Sequence, residues 1–413
     1  MNTEVYVFAG WETFDEPALV GTLRSSVIKN KEHFSFSYAA GWLQSPYAQK
    51  IDPSLNLYSG EQHCEGSNDF RTFLDSCPDR WGRLLMKRRE AVIARQEGLR
   101  PKVLNEVDYL LGVHDLYRLG ALRFKRDLNG VFLDNDEKLA ASPMYSIRAL
   151  EYAVQQVEEN VDIDNPEYWK WLNMLMSPGS SLGGARPKAN VVDEDNGLWI
   201  AKFPSRGDEH DIAAWEFVTY KLAMDAEVNM SECRVEKFNS HHHTFLTKRF
   251  DRRPDSRLHF TSAMTQLGYY DGGYEASYLE LAQFLTEHGA NTRADLAQLW
   301  RRIVFNIAVS NTDDHLRNHG FIYSNGGWLL SPAYDINPVT PANGLYLNIS
   351  DDDNSLSYEL AMEVIAFFQL SKSQAEQIKE EVLMSVAQWE SVANRLKISR
   401  SEQQLMADAF NVE

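Results

Sequence analysis

The chain begins with apolar and polar residues in strict alternation. Val5 and Val7 alternate within residues 4–8, and Phe34, Phe36 and Tyr38 alternate with Ser35 and Ser37. A period of two marks a strand with one buried face, so residues 4–8 and 18–38 are expected as strands, punctuated by Gly10, Gly21 and Gly41. The period then changes. Residues 68–97 read as helical, with Phe70, Phe73 and Leu74 on one face. The pattern breaks at Cys77-Pro78-Asp79-Arg80-Trp81-Gly82 and resumes through Leu84, Leu85 and Met86. A short helix is expected over residues 105–113. Leu119–Phe132 reads as a hairpin turned at Asp127-Leu128-Asn129-Gly130, because Asn-Gly is a strong turn signal.

An amphipathic helix is expected at about 145–160. Strands follow at Ala189–Val192, Trp199–Phe203 and Thr244–Lys248, with a helix from Ile212 to Ala223 between them. From residue 275 onward the spacing is helical: Tyr278, Leu281, Ala282 and Leu285 recur on one face, as do Leu296, Leu299, Ile303 and Ile307. Ile365–Gln369, Ala375–Trp389 and Glu402–Phe410 complete a helical C-terminus. The expected class is α+β. The expected organisation is an N-terminal mixed domain over 1–130, a second mixed region over 131–250 and a helical lobe over 251–413. A small mixed lobe before a mainly helical one is the order of a bilobal kinase.

Composition narrows the classes. The apolar share is 44% and the charged share 24%, the balance of an ordinary soluble protein. A formal net charge of −18 repels nucleic acid at long range and argues against general DNA or RNA binding by the chain alone. Three cysteines, Cys64, Cys77 and Cys233, make no paired spacing, which fits a reducing cytoplasm rather than a disulfide framework or a structural zinc site. No apolar run approaches the ~18 residues needed to span a bilayer, and the first residues lack the pattern of a secretory signal.

The densest chemistry lies in Asn311-Thr312-Asp313-Asp314-His315-Leu316-Arg317-Asn318, followed by Ser331-Pro332-Ala333-Tyr334-Asp335. An aspartate stands five residues before an asparagine, and another aspartate ends a short apolar strand. Kinases need one carboxylate to accept or orient the attacking hydroxyl, an amide on magnesium and a second carboxylate on the metals that bridge the ATP phosphates. Asp313, Asn318 and Asp335 fit those roles in that order. The His-Arg pair that usually precedes the catalytic aspartate of protein kinases is absent, so the match is to spacing and chemistry.

Three upstream features support this reading. Ser180-Ser181-Leu182-Gly183-Gly184-Ala185-Arg186-Pro187-Lys188 precedes a strand. Its small residues let backbone N–H groups approach phosphate, and Arg186 or Lys188 adds charge. A Gly-Gly turn into a strand also needs no ligand. Lys202 follows the apolar Trp199-Ile200-Ala201, and a lysine inside a buried strand needs a partner. A kinase places such a lysine on the nucleotide phosphates and pairs it with a helix glutamate, here Glu216, with Glu209 second. Thr247-Lys248-Arg249-Phe250-Asp251-Arg252 ends a strand where a kinase joins its lobes and its backbone meets adenine; the competing reading is a solvated charged connector. Asp313, Asp314, His315 and His319 also suit the metal site of a hydrolase, but that reading leaves Lys202 unexplained. His241-His242-His243 reads as an exposed hairpin tip.

Taken together these residues resemble the HipA family of bacterial toxin–antitoxin serine/threonine kinases. Asp75-Ser76-Cys77-Pro78-Asp79-Arg80-Trp81-Gly82-Arg83 is similar to the family's Leu-Pro-Asp-x-Trp-Gly segment, with Cys77 in place of leucine. Leu119-Gly120-Ala121-Leu122, the Ser181–Lys188 loop, Arg249-Phe250-Asp251-Arg252, Asn311–Asn318 and Pro332-Ala333-Tyr334-Asp335 resemble further family segments. The resemblance implies a phosphatidylinositol-kinase-like fold with an added N-terminal domain. It implies Asp313 as catalytic base, Asn318 and Asp335 on magnesium, and Lys202 on ATP. Ser181, Gly183, Gly184, Ala185, Lys188, Lys248, Arg249, Phe250 and Arg317 are expected around the nucleotide, with Ser181 as the autophosphorylation site. Arg317 stands where many members have lysine, which keeps the charge and changes the geometry. The implied partners are a small helix-turn-helix antitoxin of the HipB type, which carries the DNA contacts, and a protein substrate such as an aminoacyl-tRNA synthetase. Two other readings remain open at this level: a small-molecule phosphotransferase and a non-catalytic nucleotide-binding regulator of a repressor complex.

Overall fold

The computed structural model describes residues 2–64, 69–135, 142–143, 146–159, 165–176, 186–272, 275–324 and 326–412. They form two compact units: Met1–Arg206 with Asp251–Thr261, and Gly207–Phe250 with Ser262–Glu413.

The first unit opens with β1 (Asn2–Ala9), β2 (Ala18–Ile28), β3 (Lys31–Tyr38), β4 (Glu61–His63) and β5 (Leu122–Lys125). They form an antiparallel sheet in the order β4-β3-β2-β1-β5. The alternation in the sequence sets its register: Val5 faces Leu23, which faces Phe36, and all three are fully buried. Gly21 stands where a side chain has no room, since a Cβ there would lie 2.3 Å from the Ser37 carbonyl oxygen and 2.5 Å from the Phe36 ring.

Charged side chains bracket the backbone around this sheet. Arg118 is fully buried and donates to the carbonyls of Ser76, Leu110, Val113 and Leu133, with its guanidinium 4.5 Å from the Phe124 ring centroid. Burial pulls its pKa down to about 10. Asp251 accepts from the Gly120 N–H at 2.8 Å, and Arg252 donates to the carbonyls of Gly120 and Arg118. Gly120 has φ +71°, and an added Cβ would press on the Phe260 backbone at 3.2 Å, so both its conformation and its space call for glycine. Asp115 takes Arg123 and Arg257 together, at 2.6 and 2.8 Å. Burial alone would raise the Asp115 carboxyl, but the two guanidinium groups outweigh it and hold the pKa below the usual carboxylate range.

Downstream in the same unit lie the helices Ile147–Glu158 and Pro166–Met176 and the antiparallel strands Lys188–Val192 and Leu198–Lys202. The expected chain break at 77–82 is shorter than the sequence pattern suggests. The helix Arg80–Gln96 already includes Trp81 and Gly82, because Asp79 caps it by accepting the Gly82 N–H at 2.9 Å. The Asp127–Gly130 turn forms with a 2.9 Å bond from the Gly130 N–H to the Asp127 carbonyl, and across it Phe124 meets Leu133 in a single antiparallel bridge.

The second unit packs the helices Ile212–Asp225, Tyr278–His288, Thr292–Ala308 and Lys372–Val386 around one apolar core, with the hairpin Gly320–Ser324/Gly327–Leu330 beside them. Every residue from Leu299 to Ser310 is buried. A helix buried all round must satisfy its polar side chains inside the protein. Arg301 does so at the Ala226 carbonyl, 2.7 Å, and at Glu381, 2.8 Å. The predicted helix 375–389 runs as two, Lys372–Val386 and Trp389–Arg395. The histidine tip is not fully exposed: His243 Nδ1 meets Asp211, which also caps the helix Ile212–Asp225. Among the described residues no helix is long and apolar enough to cross a membrane.

Replacing Arg118 by Met removes four donors from buried carbonyls, and a loss of roughly 3–5 kcal/mol in unfolding free energy is expected. Urea denaturation of the variant and the wild type measures it. A change below about 1 kcal/mol would show that those carbonyls find other partners.

Candidate active site

The second unit gathers the polar positions singled out in the sequence. The helix Thr292–Ala308 ends at Val309, and Ser310 follows with φ +50°, turning the chain back. The Asn311 N–H bonds to the Asn306 carbonyl at 2.9 Å and its side chain to Asn306 Oδ1 at 3.1 Å. The loop therefore leaves the helix in a fixed direction. Asp313 lies at its exposed outer side. Asn318 is buried and its side-chain amide donates to the Asp313 carbonyl at 2.9 Å. The His315 N–H bonds to the same carbonyl at 2.9 Å, and the Asn318 N–H bonds to the His315 carbonyl at 2.8 Å. The five-residue spacing is thus a closed turn, with Asp313 and Asn318 at its two ends.

Asp335 arrives from the strand Gly327–Leu330. Its backbone has φ +59°, a left-handed conformation that costs a non-glycine residue about 1 kcal/mol or more. Neighbours impose it. The Tyr334 hydroxyl donates to the Arg317 carbonyl at 2.7 Å, Thr219 donates to the Ile336 carbonyl at 2.7 Å, and the Asn337 amide donates to Asp335 Oδ1 at 3.2 Å. The Tyr334 bond ties the residue before Asp335 to the residue before Asn318. Phe250, from the connector, stacks on Tyr334 with ring centroids 5.6 Å apart.

Partial burial raises the Asp313 pKa, the charges of Asp335 and Asp314 add to the rise, and His315 opposes it. The donor set suits a hard cation. The Asn318 amide nitrogen is committed to Asp313, which leaves its oxygen as the ligating atom, and Asp335 brings a carboxylate. Oxygen donors of this kind match magnesium.

The remaining predicted residues distribute between the units. Arg317 meets Asp271 at 2.8 Å. Glu216 is buried within the helix Ile212–Asp225, Arg249 is buried, and Lys248 is exposed with its N–H on the Glu232 carbonyl at 2.8 Å. In the first unit Lys188 and Lys202 face each other across neighbouring strands. Lys202 is half-buried, whereas Lys188 is buried, with its ammonium 3.1 Å from the equally buried Asp79. Burial raises the Asp79 pKa and Lys188 draws it back. Ser181, Gly183, Gly184 and Ala185 lie outside the described residues.

Sequence reasoning missed the buried partners of the loop. Asp314 is 3% exposed, and its Oδ2 accepts from Asn306 at 2.6 Å, from His319 Nε2 at 2.9 Å and from the Tyr278 hydroxyl. These bonds take Asp314 and His319, two of the four ligands the hydrolase reading requires. The available signal was Asn306, a lone amide inside the apolar run Ile303–Ala308.

Residues 180–390, more than half of the chain, match the model of the HipA-like C-terminal domain. The chain belongs to the HipA family. HipA of Shewanella oneidensis MR-1, solved with HipB and its operator DNA, matches it with a TM-score of 0.67 at 18% identity, covering 98% of this chain and 94% of that one. At that identity the likeness shows the fold, and the α+β class read from the sequence stands. A Haemophilus influenzae protein described as "Putative kinase" is 29% identical over 185 residues, 40% of this chain and 54% of that protein. A Sinorhizobium fredii protein, "Putative kinase Y4dM", is 29% identical over 160 residues, 35% of this chain and 38% of that one. The chain thus spans about half the length of the first relative, and less of the second.

The Asp335 charge adds to the rise in the Asp313 pKa, so in Asp335→Asn the Asp313 carboxyl should titrate lower than in the wild type. Asparagine tolerates the left-handed backbone, so thermal stability should stay equal or rise by up to about 1 kcal/mol. Carbon-detected NMR titration and thermal unfolding check the two halves. An unchanged titration would show that the two carboxylates do not interact.

Proposed function

We propose that this HipA-family chain is an ATP- and magnesium-dependent serine/threonine protein kinase, the toxin of a toxin–antitoxin pair. The observation that carries the reading is the closed Asp313–Asn318 turn stapled to the Asp335 segment through Tyr334 and Arg317. Asp313 accepts or orients the proton of an acceptor hydroxyl. A pKa raised from the ordinary carboxylate range brings it nearer to the value a general base needs. Asn318 and Asp335 hold magnesium through oxygen, while Lys202, paired with Glu216, and the small-residue loop with Lys188 engage phosphate. Lys248, Arg249 and Phe250 line the nucleotide, and Arg317 adds positive charge beside it. Magnesium-ATP, when bound, supplies the phosphoryl group and the cation that neutralises its charge.

By the same reading Ser181 is the autophosphorylation site, and the acceptor is a protein of the translation machinery such as an aminoacyl-tRNA synthetase. The Shewanella protein was solved with HipB and operator DNA. We extend that pairing here: a HipB-like helix-turn-helix antitoxin carries the DNA contacts, consistent with a net charge of −18 on this chain. The segments 1–130, 131–250 and 251–413 are proposed as N-terminal domain, nucleotide lobe and helical lobe of a cytoplasmic enzyme. Phosphotransfer to a small molecule and nucleotide-dependent regulation without catalysis are the competing readings. The amide and carboxylates of the turn are all present, which favours catalysis over regulation alone.

Intact-mass analysis after incubation with magnesium-ATP tests the proposal. Wild type should gain one phosphate, mapped to Ser181, and Asp313→Asn should slow that gain by about 10²–10⁴-fold while remaining folded. Transfer at the wild-type rate in Asp313→Asn would remove Asp313 from its role. ATP binding without any transfer would favour the regulator.

A further inference from the structure

We propose that Asp314, Asn306, Tyr278 and His319 form a buried positioning set that fixes the separation of Asp313 and Asn318. The inference rests on the kinase reading above and concerns the same site. Its geometry is that of a staple around a staple. Asp314 follows Asp313, and His319 follows Asn318. The Asp314–His319 bond, 2.9 Å, therefore closes the same turn from the inside that the Asn318–Asp313 bond, 2.9 Å, closes from the outside. Both inner residues are nearly fully buried, and the outer carboxylate is exposed. At this turn Asp314 faces inward to its partners while Asp313 beside it stays exposed, so anchoring the first presents the second outward.

The anchor is rigid because it reaches two helices. Asn306 comes from the helix Thr292–Ala308 and donates to Asp314 Oδ2 at 2.6 Å and to the Tyr278 hydroxyl at 3.3 Å. Tyr278 opens the helix Tyr278–His288, donates to the same oxygen and meets the His319 ring edge-on at 5.8 Å. A carboxylate accepts only, so each partner donates: the amide, the phenol and the Nε2–H of His319. One buried oxygen with three donors is satisfied and immobile. The His319 carbonyl in turn accepts from the Ala263 N–H at 2.9 Å, which fixes the far end of the turn. None of the four side chains is needed to touch a substrate. Their effect passes through Asp313 and Asn318.

Positioning and general stabilisation differ in what they move. In Asp314→Asn the shape stays but a neutral amide oxygen replaces the carboxylate before the three donors, so the charge that strengthens those bonds is lost and the turn loosens. At saturating ATP the rate of self-phosphorylation should fall at least tenfold, with the KM for ATP within threefold of wild type. His319→Gln keeps an N–H donor near the Nε2 position and should retain several-fold more rate than His319→Ala. Hydrogen exchange gives a readout independent of chemistry. In Asp314→Asn the amides of residues 311–319 should lose at least tenfold in protection, while those of residues 296–304 in the adjoining helix stay unchanged. A wild-type rate in Asp314→Asn, a loss carried wholly by KM, or unchanged exchange in the turn would each overturn the proposal. If the wild type transfers no phosphate, the kinase reading fails, and hydrogen exchange alone decides whether the set holds the turn.

Discussion

The second unit depends on one constraint: its most buried helix, Thr292–Ala308, carries Arg301, Arg302 and Asn306 into a core that offers no water. Each must find a protein partner or cost roughly 1–3 kcal/mol, more for a charge. Arg301 finds the Ala226 carbonyl and Glu381, and the other two find the loops at the site. Arg302, its pKa lowered by burial to about 10, donates to the Ser331 carbonyl at the head of the segment leading to Asp335. Asn306 takes Asp314 and Asn311 on the loop of Asp313. Asp295, one turn from the start of the same helix, accepts the Leu330 N–H at 3.1 Å. A single helix thus sets the position of both segments that carry the candidate chemistry, and the cost of its polar residues is the cause of that control.

The first unit uses the same device. There a buried guanidinium, Arg118, gathers four carbonyls from three stretches of chain, and the Asp251-Arg252 pair clamps the backbone at Gly120. The strong negative charge of the chain therefore says little about its interior. Inside, arginine and aspartate hold irregular backbone in place where no ladder of strand or helix bonds is available.

Much of this was legible in the sequence for identifiable reasons. The period-two runs of the first forty residues and the helical spacing after residue 275 report burial on one face, and burial is what the fold enforces; those elements appear within a few residues of their expected bounds. Asp313, Asn318 and Asp335 stand out in the sequence because their chemistry is rare in combination, and the structure ties their segments together. Three things were hidden. The charged connector after Lys248 read equally well as a solvated run, since charge alone does not reveal that Asp251 and Arg252 clamp the distant Gly120 segment. Lys188 and Lys202 look alike in sequence and face each other across the two strands, and only the first is buried against Asp79. Asp314 reads as one more loop aspartate, because its partners lie 36 and 8 residues upstream and 5 downstream.

The site also carries more negative charge than its own cations cancel. Partial burial raises the Asp313 pKa, and the charges of Asp335 and Asp314 add to the rise. Arg317, the nearby cation on the loop, is engaged with Asp271. Asp335 is held in a left-handed backbone conformation that its neighbours impose. Repulsion and strain of this kind lower the stability of the free protein and persist only where surrounding structure over-determines them. Here the over-determination is visible in the bonds from Tyr334, Thr219 and Asn337. Two carboxylates kept close, beside an amide whose nitrogen is already committed, make physical sense as a receptor for a divalent cation. In the proposed role such an ion would relieve the repulsion between the carboxylates and favour the ionised form of Asp313 that the proposed base needs.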